Sequence, residues 1–174
     1  MEEILNRINE SLPDIDDKLA HGYYFWLEEF TRIIQPKVVV ELGTFLGKSA
    51  SHILKGLPED SILVTVDRAR VYNSILVENP DPRLKVVVGE DLSPEVWAEI
   101  PQDIDLLFID TEHTFEQFQK ELDLYSQKFA PTCYVVLDDI NLYAMGGVWE
   151  SINQPKYDLS EWHGSGFGLA IYTR

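Results

Sequence analysis

A glycine-containing stretch follows the first apolar run of the chain and reads VVVELGTFLGKSAS over residues 38–51. Its GKS ending is typical of a phosphate-binding loop of ATP-binding proteins, whose full pattern is G-x-x-x-x-G-K-[ST]. With Gly47, Lys48 and Ser49 fixed at the end of that pattern, residue 42 would have to be glycine but is leucine, and Gly43 comes one residue too late. The dinucleotide pattern G-x-G-x-x-G also fails, because residues 45 and 48 are not glycines. The stretch is therefore not predicted to bind a triphosphate.

The pattern that does fit is an acid followed by two glycines, with Glu41, Gly43 and Gly47 between a strand and a helix. Gly43 permits a sharp turn with a ligand close to the backbone, and Gly47 permits close packing at the start of the helix. A carboxylate at Glu41 suits an ammonium or hydroxyl group rather than a phosphate. The next apolar run ends at Asp67, where an acid can bind both hydroxyls of a ribose. These residues predict an aminoacyl nucleoside as the ligand, although Glu41 could instead cap the helix and Asp67 could simply end a strand.

Three aspartates follow two further apolar runs. Asp110 comes directly after IDLLFI (104–109), and Asp138 and Asp139 follow CYVVL (133–137). If the two strands are neighbours, their carboxyl ends bring the three carboxylates towards one point. Such crowding requires a cation or a retained proton, and an all-oxygen set suits Mg²⁺ or Ca²⁺ rather than zinc. The alternative is that one or two of these aspartates cap helices or orient a substrate.

Short apolar runs alternate with amphipathic stretches through the middle of the chain. The runs are continuous, as expected for parallel strands that are buried on both faces and covered by helices. The candidate strands are 37–42, 61–66, 84–88, 104–109 and 133–137. The candidate helices are 45–57, 93–100 and 114–129, and a weaker helical pattern covers 69–83.

The two ends of the chain have patterns of their own. Two helical patterns precede the first strand, and the second, 17–34, ends before Pro36. After the last parallel strand the sequence predicts a turn at 146–147, a short helix with Trp149, and an antiparallel hairpin with its turn at 164–166. We predict one domain over residues 1–174, made of a helical segment (1–36), a core (37–140) and a C-terminal helix and hairpin (141–174).

The charge of the chain limits its partners. Thirty acidic and 14 basic residues give a formal net charge of −16, which repels the phosphate backbone of nucleic acids. The sequence has neither a long apolar run nor a basic and apolar leader, so we expect no membrane span and a cytoplasmic location. Cys133 is the only cysteine, which excludes a disulfide within the chain or a thiolate metal cluster. We expect a small-molecule partner and a monomer or homodimer.

The order of five segments resembles class I S-adenosylmethionine-dependent methyltransferases. The segments are VELGTFLGKSA, LVTVD, VVVGED, LLFIDTEHTFEQFQKELDLY and YVVLDDI, and the likeness covers roughly residues 36–140. It is greatest to the small-molecule O-methyltransferases of the catechol and caffeoyl-CoA type, and to the related group whose fourth strand reads FIDGDHSYE. The resemblance implies an α/β fold: a doubly wound, mostly parallel, seven-stranded Rossmann-like sheet with an antiparallel C-terminal hairpin and N-terminal helices.

The resemblance also implies roles for individual residues. The loop that holds the methionine part of the cofactor is matched by Glu41, Gly43, Thr44 and Gly47, with Ser49 close behind. Asp67 matches the acid that binds the ribose, and the turn that meets the adenine is matched by Gly89, Glu90 and Asp91. Asp110 is assigned both to the cofactor site and to the catalytic residues.

The same resemblance implies a metal site and a catalytic base. The catechol-type enzymes carry a metal-binding acid after strand four and an acid-plus-amide pair after strand five; here Asp110, Asp138 and Asp139 stand at those positions, with aspartate replacing the amide. His113 stands where these enzymes carry a lysine base and where the FIDGDHSYE group carries histidine. A neutral imidazole could accept the proton of an attacking hydroxyl, whereas the alternative is a structural histidine at the start of a helix. The other three histidines, His21, His52 and His163, are predicted to be surface or packing residues.

The leading hypothesis is methyl transfer from S-adenosylmethionine to a small-molecule acceptor at a hydroxyl oxygen, with Mg²⁺ or Ca²⁺ as a further cofactor. The alternative is a non-catalytic or regulatory module that binds S-adenosylmethionine or S-adenosylhomocysteine.

Overall fold

The computed structural model describes residues 1–12, 18–69, 76, 80–142 and 144–174. The strands within these residues are β1 Val38–Leu42, β2 Ile62–Asp67, β3 Leu84–Val88, β4 Ile104–Ile109, β5 Phe129–Asp138, β6 Lys156–Asp158 and β7 Phe167–Thr173. The helices are α1 Glu2–Ser11, α2 Lys18–Ile34, α3 Lys48–Gly56, α4 Pro94–Glu99, α5 Phe115–Tyr125 and α6 Met145–Ser151, with 3₁₀ turns at Ser126–Lys128 and Ser160–Trp162.

The strands form one seven-stranded sheet in the order β3-β2-β1-β4-β5-β7-β6. The first five strands along the chain pair in parallel, whereas β7 runs antiparallel to both β5 and β6. This topology confirms the predicted doubly wound α/β fold with N-terminal helices and an antiparallel C-terminal hairpin.

Two apolar cores cover the two faces of the sheet. In the central strand β1, Val39 faces one core while Val40 and Leu42 face the other, and all three are fully buried. The Val39 side is covered by α2 and α3, for example through Trp26, and the other side by α4, α5 and α6. Burial on both faces is the physical reason that the strands are continuous apolar runs in the sequence.

The chain reverses its direction across the sheet at β1, which has β2 on one side and β4 on the other. The carboxyl ends of the five parallel strands therefore open onto one edge, and their loops meet there. Three backbone hydrogen bonds of 2.9 Å join these loops to neighbouring strands: Gly43 N to Val66 O, Gly89 N to Asp67 O, and Asp110 N to Leu42 O.

Some predicted element boundaries are wrong. The helix predicted over 114–129 ends at Tyr125, and Phe129 is already the first residue of β5, where it pairs with Ile104. Pro131 has no N–H to donate, and the pairing of β5 with β4 shifts register between Ile104 and Leu106. The helix predicted from residue 45 begins only at Lys48.

The turn predicted at Gly146-Gly147 is also wrong, because both glycines lie in the first turn of α6. Neither has a positive φ, and a Cβ at Gly147 would meet no atom within 4 Å. The two glycines therefore adopt helical geometry without a steric need for glycine. Tyr143 and nearly all of the helical pattern over 69–83 lie outside the described residues. None of the described helices has the length and apolarity that crossing a membrane requires.

Candidate active site

The loop after β1 depends on two glycines with positive φ. Gly43 has a φ of 98°, and a Cβ there would lie 1.8 Å from the carbonyl oxygen of Asp110. Only glycine therefore lets the loops after β1 and β4 approach this closely. Gly47 has a φ of 76° directly before α3, and a Cβ there would lie 2.6 Å from the side chain of Leu76. These positions agree with the sharp turn and close packing predicted from the sequence.

Glu41 lies beneath this loop rather than in the wall of a cavity. Its side chain is fully buried, and Thr65 Oγ1 donates a hydrogen bond to Glu41 Oε2. The hydroxyl oxygens of Thr65 and Thr44 lie 2.7 Å apart, so a short chain of polar atoms connects Glu41 to the loop. Burial raises the pKa of Glu41 to about 7, and the hydroxyls of Ser49 and Thr65 partly oppose this shift.

A cavity of about 260 Å³ opens at the carboxyl ends of β1 to β4. Its lining contains six of the predicted cofactor residues, namely Gly43, Asp67, Gly89, Glu90, Asp91 and Asp110. A smaller cavity of about 100 Å³ shares Gly43 and Asp110 and is also lined by Thr44 and Ser49. The structure therefore places all the predicted cofactor residues except Glu41 and Gly47 at one of two adjoining cavities.

Asp67 is held at the edge of the larger cavity by two backbone groups. Its Oδ2 accepts a hydrogen bond from Phe45 N at 2.8 Å, and its Oδ1 accepts one from Ala69 N at 3.0 Å. Phe45 itself has a φ of 43°, so the bond to Asp67 supports an uncommon backbone conformation in the loop after β1. The carboxylate is thus fixed in place, and each oxygen keeps further capacity to accept hydrogen bonds.

A polar network beside Asp91 was not predicted from the sequence. Gln117 Nε2 donates to both carboxylate oxygens of Asp91, at 3.1 and 3.2 Å, and to Glu121 Oε1 at 2.8 Å. Thr111 Oγ1 also donates to Glu121 Oε1, and Tyr125 donates its hydroxyl to the backbone oxygen of Asp91, both at 2.8 Å. Thr111, Glu112 and Gln117 line the larger cavity. The only signal in the sequence was the four-residue spacing of Gln117 and Glu121 on one helix.

A second polar cluster adjoins the cavity through Asp110. His113 Nε2 lies 2.8 Å from Asp139 Oδ2 and 3.8 Å from Asp110 Oδ1. Asp138, which is almost fully buried, faces His163 with its Oδ1 3.5 Å from the imidazole Nε2. His163 Nε2 also lies 3.7 Å from Asp139 Oδ1. Asp139 therefore stands between the two imidazoles, with one carboxylate oxygen towards each.

His163, predicted to be a surface or packing residue, packs its ring against Tyr23, but it also lies beside the aspartates, which was not predicted. The antiparallel pairing of β7 with β5 places Phe167 opposite Asp138, and the turn before β7 carries the imidazole to the end of β5. His163 Nδ1 lies 3.2 Å from the carbonyl oxygen of Leu19, which can only accept, so Nδ1 carries a hydrogen. Its Nε2 then faces the aspartates and lies 2.8 Å from Ser165 Oγ. Local sequence gave no signal for this contact between distant segments.

The electrostatics of this second cluster are governed by burial and by like charges. Burial, followed by the charges of Asp110 and Asp139, raises the pKa of Asp138 well above its ordinary value. The pKa of Asp110 is also raised by burial and by Asp139, and His113 opposes this shift. Burial likewise raises the pKa of Tyr23, whose ring lies 4.3 Å from that of His163. The cluster therefore favours a bound proton or cation.

The metal site predicted from the three aspartates is divided in the structure. Among the described residues two sets of possible ligand atoms lie within 4.8 Å of one another: Asp110, His113 and Asp139, and Asp138, Asp139 and His163. Each set contains two carboxylates and one imidazole, whereas Mg²⁺ and Ca²⁺ prefer oxygen ligands alone. The donors thus do not fit the all-oxygen site expected for those ions and better suit a first-row transition metal such as Co²⁺ or Zn²⁺.

Comparison with known proteins identifies the family. The sequence profile of a methyltransferase domain matches residues 40–140, which include most of β1, all of β2 to β5, and the residues of both polar clusters except His163. The chain belongs to this methyltransferase family. The match begins within the strand that precedes the glycine loop and ends just after the aspartates of β5, so the family covers the part of the chain that builds the cavity.

Solved methyltransferase structures share the fold across nearly the whole chain. A methyltransferase from Geobacter sulfurreducens superposes with a TM-score of 0.74 at 19% identity, over 99% of this chain and 90% of that one. An O-methyltransferase from Bacillus cereus, solved in complex with SAH, gives 0.66 at 17% identity over 99% and 90%. An O-methyltransferase of tomaymycin synthesis from Streptomyces achromogenes, solved with SAM, gives 0.65 at 20% identity over 99% and 90%. At these identities the likeness establishes a common fold.

Proposed function

We propose that this methyltransferase transfers a methyl group from S-adenosylmethionine to a hydroxyl oxygen of a small molecule. The observation that carries the proposal is the position of Asp110, which belongs both to the walls of the two cavities and to the polar cluster that contains His113. Asp110 lines both cavities at the carboxyl ends of the strands and lies 3.8 Å from the imidazole of His113. A methyl donor held in the cavities would therefore lie next to a base.

The lining of the cavities fits the donor in three places. The fixed carboxylate of Asp67 can accept hydrogen bonds from the ribose hydroxyls, and the turn of Gly89, Glu90 and Asp91 lies at the same cavity for the adenine. Gly43, Thr44 and Ser49 line the smaller cavity, where we place the methionine part. We assign Glu41 an indirect role, in which it supports Thr44 through Thr65.

The chemistry follows from the second polar cluster. When bound, S-adenosylmethionine supplies an electrophilic methyl group on its sulfonium. The acceptor oxygen forms a bond to the methyl carbon as the carbon–sulfur bond breaks, and the bond electrons leave with sulfur. His113 accepts the hydroxyl proton, and the Asp139 carboxylate at 2.8 Å stabilises the imidazolium that forms. The cavity walls contribute by holding donor and acceptor in line.

Calorimetry with S-adenosylmethionine and S-adenosylhomocysteine tests the binding part of the proposal. We expect both to bind the wild-type protein and binding to weaken at least tenfold in Asp67→Asn, because a charged acceptor with two oxygens is replaced by a neutral amide with one. Asp60→Asn is the matched control, since Asp60 is exposed and pairs with Lys37 on the surface. A folded wild-type protein that binds neither compound contradicts the proposal.

Turnover tests the catalytic part. S-adenosylhomocysteine formation is measured with a panel of small phenols and catechols, in the wild-type protein and in His113→Gln. We expect His113→Gln to retain cofactor affinity while its turnover falls by about 10²–10⁴-fold, the usual contribution of a general base. A protein that binds the cofactor but turns over none of the panel would favour a regulatory binding module.

A further inference from the structure

The side-chain amide of Gln117 is oriented by acidic groups on two sides. Its Nε2 donates to Glu121 Oε1 at 2.8 Å and to the two oxygens of Asp91 at 3.1 and 3.2 Å. An amide nitrogen has two hydrogens, so these partners use its full donor capacity. The opposite orientation of the amide would place its carbonyl oxygen against the Asp91 carboxylate, which cannot donate. The amide of Gln117 therefore has one stable orientation.

The residues that orient Gln117 are themselves fixed. Glu121 is fully buried, and its Oε1 accepts a second hydrogen bond, from Thr111 Oγ1, at 2.8 Å. Tyr125 is also fully buried and holds the backbone of Asp91 through a hydrogen bond of 2.8 Å. Burial, followed by the nearby Asp91, raises the pKa of Glu121 above its ordinary value, which favours its protonated form. A protonated Glu121 avoids placing a second negative charge, in a buried position, next to the partly exposed Asp91.

The orientation of the Gln117 amide determines which of its atoms a ligand can bind. Gln117 lines the larger cavity together with Glu90 and Asp91, at the end that we assign to the nucleoside base. With both amide hydrogens directed to Asp91 and Glu121, the carbonyl Oε1 is the atom that Gln117 can offer to a ligand, and it can only accept a hydrogen bond. An exocyclic amino group on the base can donate to it, whereas a carbonyl oxygen at the same place would be repelled.

We propose that Gln117 selects a 6-aminopurine over a 6-oxopurine nucleoside, and that Glu121 is the positioning residue that fixes the direction of the Gln117 amide. This inference rests on the proposed function, because it assigns the adenine end of the same cavity. Selectivity arises because an oxopurine leaves the Gln117 acceptor facing another acceptor inside the protein, which costs more than the loss of one hydrogen bond.

Calorimetry with two matched ligands tests the proposal. S-adenosylhomocysteine and S-inosylhomocysteine differ at the 6-position of the purine, and the measured quantity is the ratio of their dissociation constants. We expect the wild-type protein to favour the adenosyl compound by more than tenfold. In Gln117→Met we expect the ratio to fall at least fivefold, because methionine has no comparable acceptor. Gln119→Met is the matched control, since Gln119 lies on the same helix and donates to Asp123 away from the cavity.

Two substitutions at Glu121 separate positioning from stability. Glu121→Gln keeps an oxygen that can accept from Thr111 and Gln117, and it imitates the protonated acid, so we expect the wild-type ratio. Glu121→Met has no acceptor at that place, and we expect the ratio to fall as it does in Gln117→Met. If Glu121 only stabilised the fold, Glu121→Met would weaken the binding of both ligands equally and leave the ratio of their dissociation constants unchanged.

The outcomes distinguish this inference from the function on which it rests. If the wild-type protein binds neither ligand, the proposed function and this inference both fail. If the wild-type protein binds S-adenosylhomocysteine but Gln117→Met, folded by circular dichroism, keeps the wild-type ratio, only the inference is overturned. A wild-type ratio near one overturns it in the same way.

Discussion

His163 Nε2 and Asp138 Oδ1 lie 3.5 Å apart, at the point where the turn before β7 meets the end of β5. Asp138 is almost fully buried, so its carboxyl group needs a partner inside the protein. The imidazole is a basic group within ion-pair distance of Asp138 Oδ1, although that oxygen has no hydrogen-bond partner among the described residues, and it also contacts the ring of Tyr23 in α2. One histidine thus connects the C-terminal hairpin, an N-terminal helix and the acidic end of β5.

Replacement of His163 tests this connection. We expect His163→Gln to lower the free energy of unfolding by about 1–3 kcal/mol, because it removes the basic group next to a buried carboxyl group and the ring contact with Tyr23. His21→Gln is the control, since His21 is exposed on the same side of the molecule and its ring lies 6.3 Å from that of Tyr24. Denaturant unfolding measures both variants. Equal stability of the two variants would show that the contact with Asp138 contributes little.

A comparison of metal ions tests the two sets of carboxylate and imidazole ligands. Two carboxylates and one imidazole in each set favour a first-row transition metal over Mg²⁺ or Ca²⁺. We expect Co²⁺ to raise the melting temperature more than Mg²⁺ at equal concentration, because a ligand that binds only the folded state stabilises it. The difference should shrink in His163→Gln, which removes the imidazole of the set that does not contain the proposed base. A greater effect of Mg²⁺ would instead support the three-aspartate site predicted from the sequence.

Glu41 should make stability depend on pH. Its pKa is about 7 in the folded protein against 4.5 in the unfolded chain, so the folded state holds its proton more tightly. The contribution of Glu41 to the free energy of unfolding is therefore complete below pH 4.5. It is lost as the pH rises to 7, by about 3 kcal/mol in total. We expect the free energy of unfolding of Glu41→Gln, measured relative to the wild-type protein, to increase by about 2–3 kcal/mol from pH 5 to pH 8.

Urea unfolding at the two pH values measures this gain, with the exposed Glu95→Gln as the control. A constant difference between Glu41→Gln and the wild-type protein would mean that Glu41 does not change its protonation on folding in this range.

Gly43 and Gly147 differ in their surroundings, so the alanine variants of the two glycines can be compared with each other. Gly43→Ala would place a Cβ 1.8 Å from the Asp110 carbonyl oxygen at a positive φ, so we expect a loss of at least about 2 kcal/mol and of cofactor binding. Gly147→Ala meets no atom within 4 Å inside a helix, and we expect a gain of up to about 1 kcal/mol. Thermal unfolding and calorimetry measure both. Similar behaviour of the two variants contradicts the close approach of the loops after β1 and β4.

The sequence by itself determined which runs form the parallel strands and where the glycine loop lies, whereas the order of the strands in the sheet came from the structure. These features depend on local patterns: continuous apolar runs mark strands buried on both faces, and Gly43 and Gly47 mark backbone that other residues do not readily adopt. Asp67 was predicted because it ends a strand, whereas Asp91, in the turn after β3, was predicted from the family resemblance. Boundaries such as the end of α5 were less certain, because an apolar residue like Phe129 fits a helix and a strand equally well.

Only the tertiary structure decided which polar groups meet. The partner of Asp138 is a histidine brought by antiparallel pairing of β7 with β5, and no local pattern encodes that distance. The three predicted metal-binding aspartates fall into two sets that share Asp139 and contain one imidazole each. The direction of the Gln117 amide follows from two acids, one of them after β3 and the other on α5. Such contacts depend on how whole elements pack, which the spacing of residues along the chain does not fix.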